Sequence, residues 1–494
     1  MNKIAKNLLD KINSILVNKP LIYISKDIER SIGLENYLEN YHQICAERSY
    51  IYTILKEKKY NVYLIENLKD MNTLSIVNSE EFNSILKTIT RDGSFYAMLF
   101  QFNEPAKLNL EKNSGIVLNN SAVLNRKFEN KINISAILQQ HQIQEPTNFV
   151  GNVGELSYED IRKKLSLKDN QAFVIQTPFS HTGTGTYFIY SQEEWEEVKQ
   201  KLFGNKVKFS TKITGETYTL NGCIYKNQVF FDSIQYQITG EKDLTINSGT
   251  TVGNDWQYSK KLNINVQKKI IEILRKIANI LISNGYKGLF GIDLIVTDND
   301  DIYVLEINAR QTANVSMETK LQLENEDTIP LLLLHIAEFL KIDIDIDEKT
   351  FNKNFFNFYN ASQVFLRAKK NNTIICNDIK SGIYRIVGDA SAYMSLIKRN
   401  FTNTYTLVID EDKDKILVWE ENEYTLDYSK SKDRDTFENK HKDKILILNA
   451  TKGNVKNLHE EVARVQLRRT AIVNSKVAEW IIKTLKAIED TITI

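Results

Sequence analysis

Residues 289–308 have the pattern of a β-hairpin in which acidic side chains face each other. Apolar, strand-forming segments flank a turn-rich Asp-Asn-Asp-Asp tetrapeptide. If Thr297 pairs with Ile302, Asp293 lies directly opposite Glu306 on the neighbouring strand. The sequence therefore predicts a pair of carboxylates on one face of the hairpin.

Opposed carboxylates need compensation. Their Cβ atoms would be about 5 Å apart, and burial of both charges would cost several kcal/mol or force one to be protonated. A divalent cation, a neighbouring Arg or Lys, or a shared proton could compensate them.

Asn308, on the face of Glu306, adds an amide oxygen, and this donor set suits Mg²⁺. Arg310, a little farther on, could reach a phosphate or a carboxylate. The alternative is a surface hairpin with solvated acids, but the apolar residues on both faces of the strands favour the metal.

A second candidate is the loop Ser-His-Thr-Gly-Thr-Gly-Thr at residues 180–186, between predicted strands. Small residues let backbone N–H groups approach an anion, and hydroxyls supply further donors. The loop lacks the Gly-Lys-Ser/Thr ending of a Walker loop, and a strand rather than a Rossmann helix follows it. A simple Gly/Thr turn is the alternative. The candidate residues are Ser180, Gly183, Thr184, Gly185 and Thr186.

The whole chain sets bounds on function. Its 494 residues suggest roughly three domains at about 150 residues each. The 64 basic and 63 acidic residues nearly cancel, so no overall basic field is available to bind nucleic acid. The three scattered cysteines fit neither a disulfide framework nor a zinc site, and the N-terminus has the spacing of an amphipathic helix. We therefore expect a soluble, cytoplasmic protein without a membrane span.

The order of predicted elements gives the fold class. Strands alternate with helices up to about residue 140, which predicts an α/β domain with a mostly parallel sheet. A chain of strands and a long helix at about 266–284 follow. Residues 357–450 are predicted to be β-rich, and 455–490 helical. We expect a mixed α/β and α+β protein with domains at 1–124, 125–345 and 346–494.

The two candidate motifs, in this order and about a hundred residues apart, resemble the ATP-grasp superfamily. In that fold a glycine-rich hairpin closes over ATP, and a later hairpin ending in Glu-x-Asn holds magnesium. The string Glu-Ile-Asn-Ala-Arg at 306–310 is similar to the family's second hairpin. The resemblance implies an N-terminal pre-ATP-grasp domain, an ATP-grasp domain and an additional C-terminal domain.

The resemblance also implies site residues. Asp293, Glu306 and Asn308 would bind Mg²⁺, and Arg310 would stabilise the acyl phosphate or the transferring phosphoryl group. Lys131 resembles the lysine that meets the ATP phosphates, and the loop at 180–186 would form the lid.

The chain departs from the common family pattern at Gln176, where a second phosphate lysine is usual. At the adenine hinge it has Lys212 where a ribose glutamate is expected, and Glu216 nearby is either a nucleotide contact or a turn residue. These features resemble the pheganomycin-type peptide ligase branch.

The activity implied is a carboxylate–amine ligase that forms an acyl phosphate and then an amide, releasing ADP and phosphate, in peptide or natural-product assembly. Small-molecule carboxylate and amine substrates and a homodimer are expected. A carrier-protein thiol as acceptor, or a non-catalytic nucleotide-binding module, are the alternatives.

Overall fold

The predicted N-terminal amphipathic helix is present in the computed structural model, where it spans Lys3–Leu16. Asn2 caps its first turn, and Leu8 and Ile12 are fully buried. The described residues are 1–90, 93–179, 185–377, 379–387, 406–410, 415–421, 423–424, 426 and 444–493.

The N-terminal region is an α/β domain. Its five strands are all parallel, in the order β3-β2-β1-β4-β5, as the alternation of strands and helices predicts. The elements are α1 (Lys3–Leu16), β1 (Leu21–Ser25), β2 (Tyr41–Cys45), α2 (Tyr50–Glu57), β3 (Val62–Leu64), α3 (Thr73–Asn78), α4 (Glu80–Ile89), β4 (Phe95–Leu99), α5 (Glu104–Lys112) and β5 (Gly115–Val117).

A small antiparallel sheet follows, with strand order β6-β9-β7-β8. Phe173, Trp195 and Phe209 are fully buried in the core beneath it. The elements from the first linking helix through this sheet are α6 (Ala122–Glu129), α7 (Lys131–Gln140), β6 (Asn148–Asn152), α8 (Tyr158–Lys164), β7 (Phe173–Gln176), β8 (Thr186–Ile189), α9 (Gln192–Leu202) and β9 (Lys206–Thr211).

The predicted long helix and hairpin belong to the next set of elements. The helix begins after the cap Asn263 and ends at Ser283, followed by Gly285 with φ +78°, a left-handed conformation that glycine adopts without strain. The elements are β10 (Glu216–Tyr225), β11 (Gln228–Phe231), β12 (Gln235–Thr239), β13 (Thr251–Asp255), α10 (Ile264–Ser283), β14 (Gly288–Val296), β15 (Ile302–Asn308), α11 (Val315–Glu324) and α12 (Leu331–Leu340).

The C-terminal region is richer in strands than the sequence predicts. Residues 455–490 are expected to be helical, but the helix begins only at Glu479, and residues 461–467 form a strand. The elements are α13 (Glu348–Phe351), β16 (Ser362–Arg367), β17 (Thr373–Ile374), β18 (Gly382–Val387), β19 (Thr406–Asp410), β20 (Lys415–Glu421), β21 (Lys444–Asn449), β22 (Val455–Lys456), β23 (Glu461–Leu467), β24 (Ile472–Val473), β25 (Lys476–Val477) and α14 (Glu479–Ile492).

One large sheet joins the central and C-terminal regions, in the order β15-β14-β10-β12-β13-β16-β23-β21-β18-β20-β19, with β11 beside β10. The junction is the antiparallel pair β13–β16, in which Gly253 lies opposite Val364. A Cβ atom at Gly253 would be 2.4 Å from the carbonyl oxygen of Gln363, so only glycine allows this approach. The sheet thus crosses residue 345, where the sequence predicts a domain boundary. The three predicted domains remain predictions.

The structure also bears on two general predictions. Among the described residues, no helix is both long and apolar enough to cross a membrane. The cysteines Cys45, Cys223 and Cys376 are free thiols.

A buried carboxyl group lies between the large sheet and α11. Asp232 is fully buried and accepts hydrogen bonds from Gln322 Nε2 at 2.9 Å, from the backbone N–H of Ser233 at 2.8 Å, and from the Tyr359 hydroxyl. Burial raises its pKa from 3.8 to about 6, although these hydrogen bonds oppose the rise.

A pH-dependent stability follows from this shift. The folded state holds the proton on Asp232 more tightly than the unfolded state does. The contribution of this carboxyl group to the free energy of unfolding is therefore full below pH 3.8 and is lost as pH rises through about 6. We expect the free energy of unfolding of the wild type to fall, relative to Asp232→Asn, by about 2–3 kcal/mol over this range. Urea unfolding of both proteins across the range measures the difference. Parallel pH profiles would contradict the assignment.

Candidate functional site

The hairpin β14–β15 places the two predicted acids opposite each other, by a different register than the sequence suggests. Val296, not Thr297, pairs with Ile302, and the register shifts by one residue between Asp293 and Leu294. Beyond this bulge, Asp293 pairs with Glu306. The bulge therefore restores the opposition that a regular ladder starting at Val296–Ile302 would have lost.

Lys131 compensates one of the two acids. It begins α7, directly after the cap Asn130, and its side chain is buried. Its Nζ lies 2.8 Å from Glu306 Oε2. Burial alone would raise the pKa of Glu306, but the charges of Lys131 and Arg310, with hydrogen bonds from Lys131 and Asp293, together outweigh burial and lower it.

In the part of the chain that the structure describes, no Lys, Arg or His nitrogen lies within 4.0 Å of the Asp293 carboxyl group. Burial raises its pKa, and the charge of Glu306 raises it further. Asn308 Nδ2 donates to Asp293 Oδ2 at 3.1 Å, and Thr219 also forms a hydrogen bond with this carboxyl group. The two carboxyl groups also form a hydrogen bond with each other, which requires a shared proton, and a divalent cation could take the place of that proton.

This donor set fits a magnesium ion. Two carboxylates and an amide oxygen, on the wall of a cavity with room for water and phosphate, are the ligands that Mg²⁺ prefers. In the observed arrangement the amide nitrogen of Asn308 faces Asp293, while its oxygen accepts a bond from Arg310 at 3.0 Å. Ligation by Asn308 therefore requires the amide to turn over.

Arg310 is held at the edge of the same group. Its Nε lies 3.0 Å from Glu129 Oε1, and its guanidinium also donates to Asn308 Oδ1 and, at 3.2 Å, to the carbonyl oxygen of Gln311. These contacts fix the plane of the guanidinium, which retains further donors for an anion.

One cavity of about 320 Å³, which we call the central cavity, is lined by Lys131, Asp293, Glu306, Asn308 and Arg310. It lies between the small sheet and the large sheet and reaches the N-terminal region at Arg30. The volume is within the range of small-molecule sites. Its lining includes Lys131, Gln176, Thr186, Lys208, Lys212, Thr219, Asn254, Asp293, Glu306, Asn308, Arg310, Gln363, Phe365, Arg367 and Glu461.

Among the predicted lid and hinge residues, Gln176, Thr186 and Lys212 line the cavity. Gly185 lies beside them, and its carbonyl oxygen accepts a hydrogen bond from the N–H of Thr177 at 3.0 Å. Ser180, Gly183 and Thr184 lie outside the described residues.

Glu216 is not brought to the cavity. Strand alternation directs it to the face of Tyr218, whereas Thr217 lines the cavity. Its carboxylate accepts hydrogen bonds from Tyr218 Oη at 2.7 Å, from Tyr258 Oη at 3.2 Å, and from Lys261. The structure therefore separates Glu216 from the other predicted nucleotide contacts, because its partners hold it on the opposite face of the sheet.

Lys208 is a cavity residue that the sequence reasoning missed. Strand pairing sets it directly across from Gln176, so both side chains are on one face. Its buried Nζ lies 2.8 Å from Glu145 Oε2, and Glu145 also accepts a hydrogen bond from Ser135 Oγ at 2.6 Å. A lysine on β9 thus stands beside the position where the resemblance leads one to expect a lysine on β7. The alternation of polar and apolar residues along Lys206–Thr211 was a signal available in the sequence, but the strand that pairs with it was not.

Comparisons with known proteins identify the fold around this cavity. Residues 128–314 match the family model of the ATP-grasp domain. No curated protein is similar enough to match the chain by sequence. The matched segment contains the hairpin, Lys131, Gln176 and Lys208, but neither the N-terminal region nor the C-terminal strands.

Solved structures resemble the chain over almost its whole length. An ADP complex of N5-carboxyaminoimidazole ribonucleotide synthetase has a TM-score of 0.52 at 10% identity, covering 96% of this chain and 97% of that one. The biotin carboxylase domain of a Hydrogenobacter thermophilus 2-oxoglutarate carboxylase has a TM-score of 0.56 at 9% identity, covering 90% and 85%. An L-amino acid ligase from Bacillus licheniformis has a TM-score of 0.50 at 13% identity, covering 97% and 98%. Identities this low establish the fold alone.

Proposed function

We propose that the protein is an ATP-dependent carboxylate–amine ligase, because residues 128–314 match the family model of the ATP-grasp domain, the fold of ATP- and Mg²⁺-dependent ligases. The observation that carries this proposal is the meeting of Asp293, Glu306, Asn308, Arg310 and Lys131 at one end of the central cavity. Opposed acids beside fixed cations are arranged for phosphoryl transfer rather than for simple storage of a nucleotide.

The small sheet and α7 would hold the nucleotide phosphates. Lys131 approaches from α7, and Lys208 and Gln176 approach from neighbouring strands. Lys212, at the end of the same sheet, would lie towards the ribose or base. Asp293, Glu306 and Asn308 would hold Mg²⁺, which would offset the negative charge of the phosphates.

The reaction would proceed in two steps. A substrate carboxylate oxygen attacks the γ-phosphorus of ATP, the bond to the bridging oxygen breaks, and ADP leaves with that electron pair. Arg310 stabilises the charge that develops on the transferring group. An amine then attacks the acyl carbon, the acyl–phosphate bond breaks, phosphate leaves, and the amine loses a proton to give the amide.

Closure over the cavity would exclude water, which would otherwise hydrolyse the acyl phosphate. The loop at 180–186 is our candidate for this lid.

We also keep the pheganomycin-type peptide ligase branch as the finer proposal, because Gln176 precedes a Gly/Thr-rich loop. We propose amino acids or peptides as the substrate class, by analogy with the bacterial L-amino acid ligase that shares this fold.

The test is incubation of the full chain with ATP, Mg²⁺ and pooled amino acids, followed by assays of ADP, phosphate and amide products. We expect ADP and phosphate in equal amounts with one amide bond. AMP and pyrophosphate would contradict the acyl-phosphate mechanism. A thioester on an added carrier protein would instead indicate the thiol-acceptor alternative, and ATP binding without turnover would indicate a non-catalytic module.

Lys208 provides a prediction about the nucleotide site. We expect Lys208→Met to raise the KM for ATP by about 10–100-fold, because it removes a charge-assisted bond to phosphate from a buried site. The decisive variant is the exchange Gln176→Lys with Lys208→Gln, which returns a lysine to the same face one strand away. We expect the exchange to recover part of the lost affinity for ATP.

The exposed Lys206→Met on the same strand is the matched control and should leave the KM unchanged. If Lys208→Met has an unchanged KM for ATP while its melting temperature falls, Lys208 only neutralises Glu145.

A further inference from the structure

The end of the central cavity away from the small sheet has a different character. Its lining residues come from three separate regions of the chain: Arg30 follows β1, Asn254 is on β13, and Gln363, Phe365 and Arg367 are on β16. Glu461, which begins β23, lies on the same wall. We call this end the β16 end. The β16 end is continuous with the proposed phosphoryl-transfer site, but its residues are different ones.

Most charges at the β16 end already have an ionic partner. Arg30 Nε lies 3.3 Å from Asp27 Oδ1, and Arg30 also donates to the carbonyl oxygen of Ala313 at 3.1 Å. Glu461 accepts two hydrogen bonds from Arg464, which also lies 2.7 Å from Glu29 Oε2. These groups are satisfied within the protein.

Arg367 is different. Among the described residues, no carboxylate lies within 4.0 Å of its guanidinium. Its Nε and one terminal nitrogen donate to the carbonyl oxygen of Thr251 at 3.3 and 3.1 Å. The other terminal nitrogen donates weakly to the carbonyl oxygen of His459 at 3.5 Å. The side chain is 9% exposed and lies over the Phe365 ring. A buried cation whose hydrogen-bond acceptors are neutral carbonyl groups therefore lines the cavity.

The charge persists at neutral pH. Burial lowers the pKa of Arg367 to about 10. The charge of Glu461, which makes no ion pair with Arg367, is the largest effect that opposes the lowering, while the cations Arg30 and Arg464 add to it. A buried charge without an ionic partner is costly, and a bound anion would remove that cost. The planar guanidinium matches a carboxylate best, because the two groups can form parallel hydrogen bonds.

We propose that the β16 end binds the free carboxylate of the acceptor substrate, with Arg367 as the binding residue. The inference rests on the proposed function. An acceptor held by its carboxylate at the β16 end can extend its amine towards the acyl phosphate near Arg310, through the same cavity. The acceptor class is then a free amino acid or a peptide with a free C-terminus, rather than a carrier-protein thiol, which offers no carboxylate.

A competition within one reaction tests this. The full chain is incubated with ATP, Mg²⁺ and equal concentrations of amino acids and their carboxamides, so that both compete as acceptors for the same activated acids. Mass spectrometry then compares products that end in a carboxylate with products that end in an amide. We expect the carboxylate products to exceed the amide products by about 10–100-fold. Equal amounts would overturn the proposal.

Variants of Arg367 test whether this residue causes the preference for acceptors with a free carboxylate. We expect Arg367→Met to bring the product ratio close to one by raising the KM for amino acid acceptors, with little change of kcat for amide acceptors. Arg367→Lys should retain part of the preference. Arg385→Met is the control, since this arginine is 56% exposed and pairs with Glu420 in the C-terminal region. A full preference in folded Arg367→Met would contradict the assignment.

Further measurements distinguish a failure of the carboxylate-binding proposal from a failure of the proposed function and from misfolding of the variant. If Arg367→Met does not fold, the wild-type ratio and the Arg367→Lys ratio still decide. If the wild type forms no amide with any acceptor, the proposed function fails. The melting temperature with ADP and Mg²⁺ then tests the β16 end directly: amino acids should raise it, carboxamides should not, and equal effects of both would overturn the proposal.

Discussion

Asp293→Asn is expected to abolish ATP turnover while it raises the melting temperature of the metal-free protein. Asp293 is a half-buried acid whose pKa is raised by the loss of hydration and by the charge of Glu306 opposite it. Asparagine has nearly the same shape and can still accept the bond from Asn308. The substitution therefore removes an unfavourable charge and keeps the packing.

The loss of activity has a separate cause. Asp293 is one of the proposed ligands of Mg²⁺, and a cation at phosphoryl transfer contributes several kcal/mol to transition-state stabilisation. At about 1.4 kcal/mol per factor of ten, we expect kcat to fall at least about a thousandfold. Thermal unfolding with EDTA at about pH 8, where wild-type carboxylates are mostly ionised, and ADP release with Mg²⁺ measure the two effects.

Asp298→Asn is the matched control, because Asp298 lies in the turn of the same hairpin and is exposed. It should change neither quantity. A variant at Asp293 that is more stable and fully active would show that the acids do not bind a catalytic cation. Reduced stability would show that the charge of Asp293 is satisfied by groups other than a metal.

Arg310→Lys is expected to lower kcat by about 100–1000-fold with little change in the KM for ATP. Glu129, Asn308 and the backbone of Gln311 hold the guanidinium in one plane. A lysine keeps the charge but loses the fork of donors and these fixing contacts. Fixed donors aimed at developing charge stabilise the transition state more than the bound substrate.

Steady-state rates of ADP release as a function of ATP and acid concentrations measure kcat and the KM for ATP separately. Arg126→Lys is the control, since Arg126 is exposed on α6, the helix that carries Glu129. If the KM rises while kcat is unchanged, Arg310 binds the ground state and transition state equally and is a binding residue only.

The local parts of this site were predictable. The hairpin β14–β15 follows from alternating apolar residues around an acidic turn, since strand period and turn chemistry are encoded within a few residues. The long helix α10 and the parallel N-terminal sheet were predictable from the same kind of signal. The register of the hairpin still differed from the predicted one, because the bulge at residues 293–294 depends on how the two strands pack together.

The strand at Glu461–Leu467 shows where local reasoning fails. Its arginine and apolar residues were interpreted as a late helix, whereas Val462, Ala463 and Val465 are buried in the large sheet. Pairing with β16 and β21 on both sides overrides the weak local preference. Arg464 thus forms ion pairs with Glu29 of the N-terminal region and with Glu461.

The sequence by itself determined the acids, the arginine beyond them and the hairpin that brings them together, because all lie within eighteen residues between Asp293 and Arg310. Only the tertiary structure decided that Lys131 compensates Glu306, that Lys208 stands across from Gln176, and that Arg367 reaches the same cavity. Each of these contacts joins strands or helices far apart in the chain, and their registers depend on packing that no local pattern records.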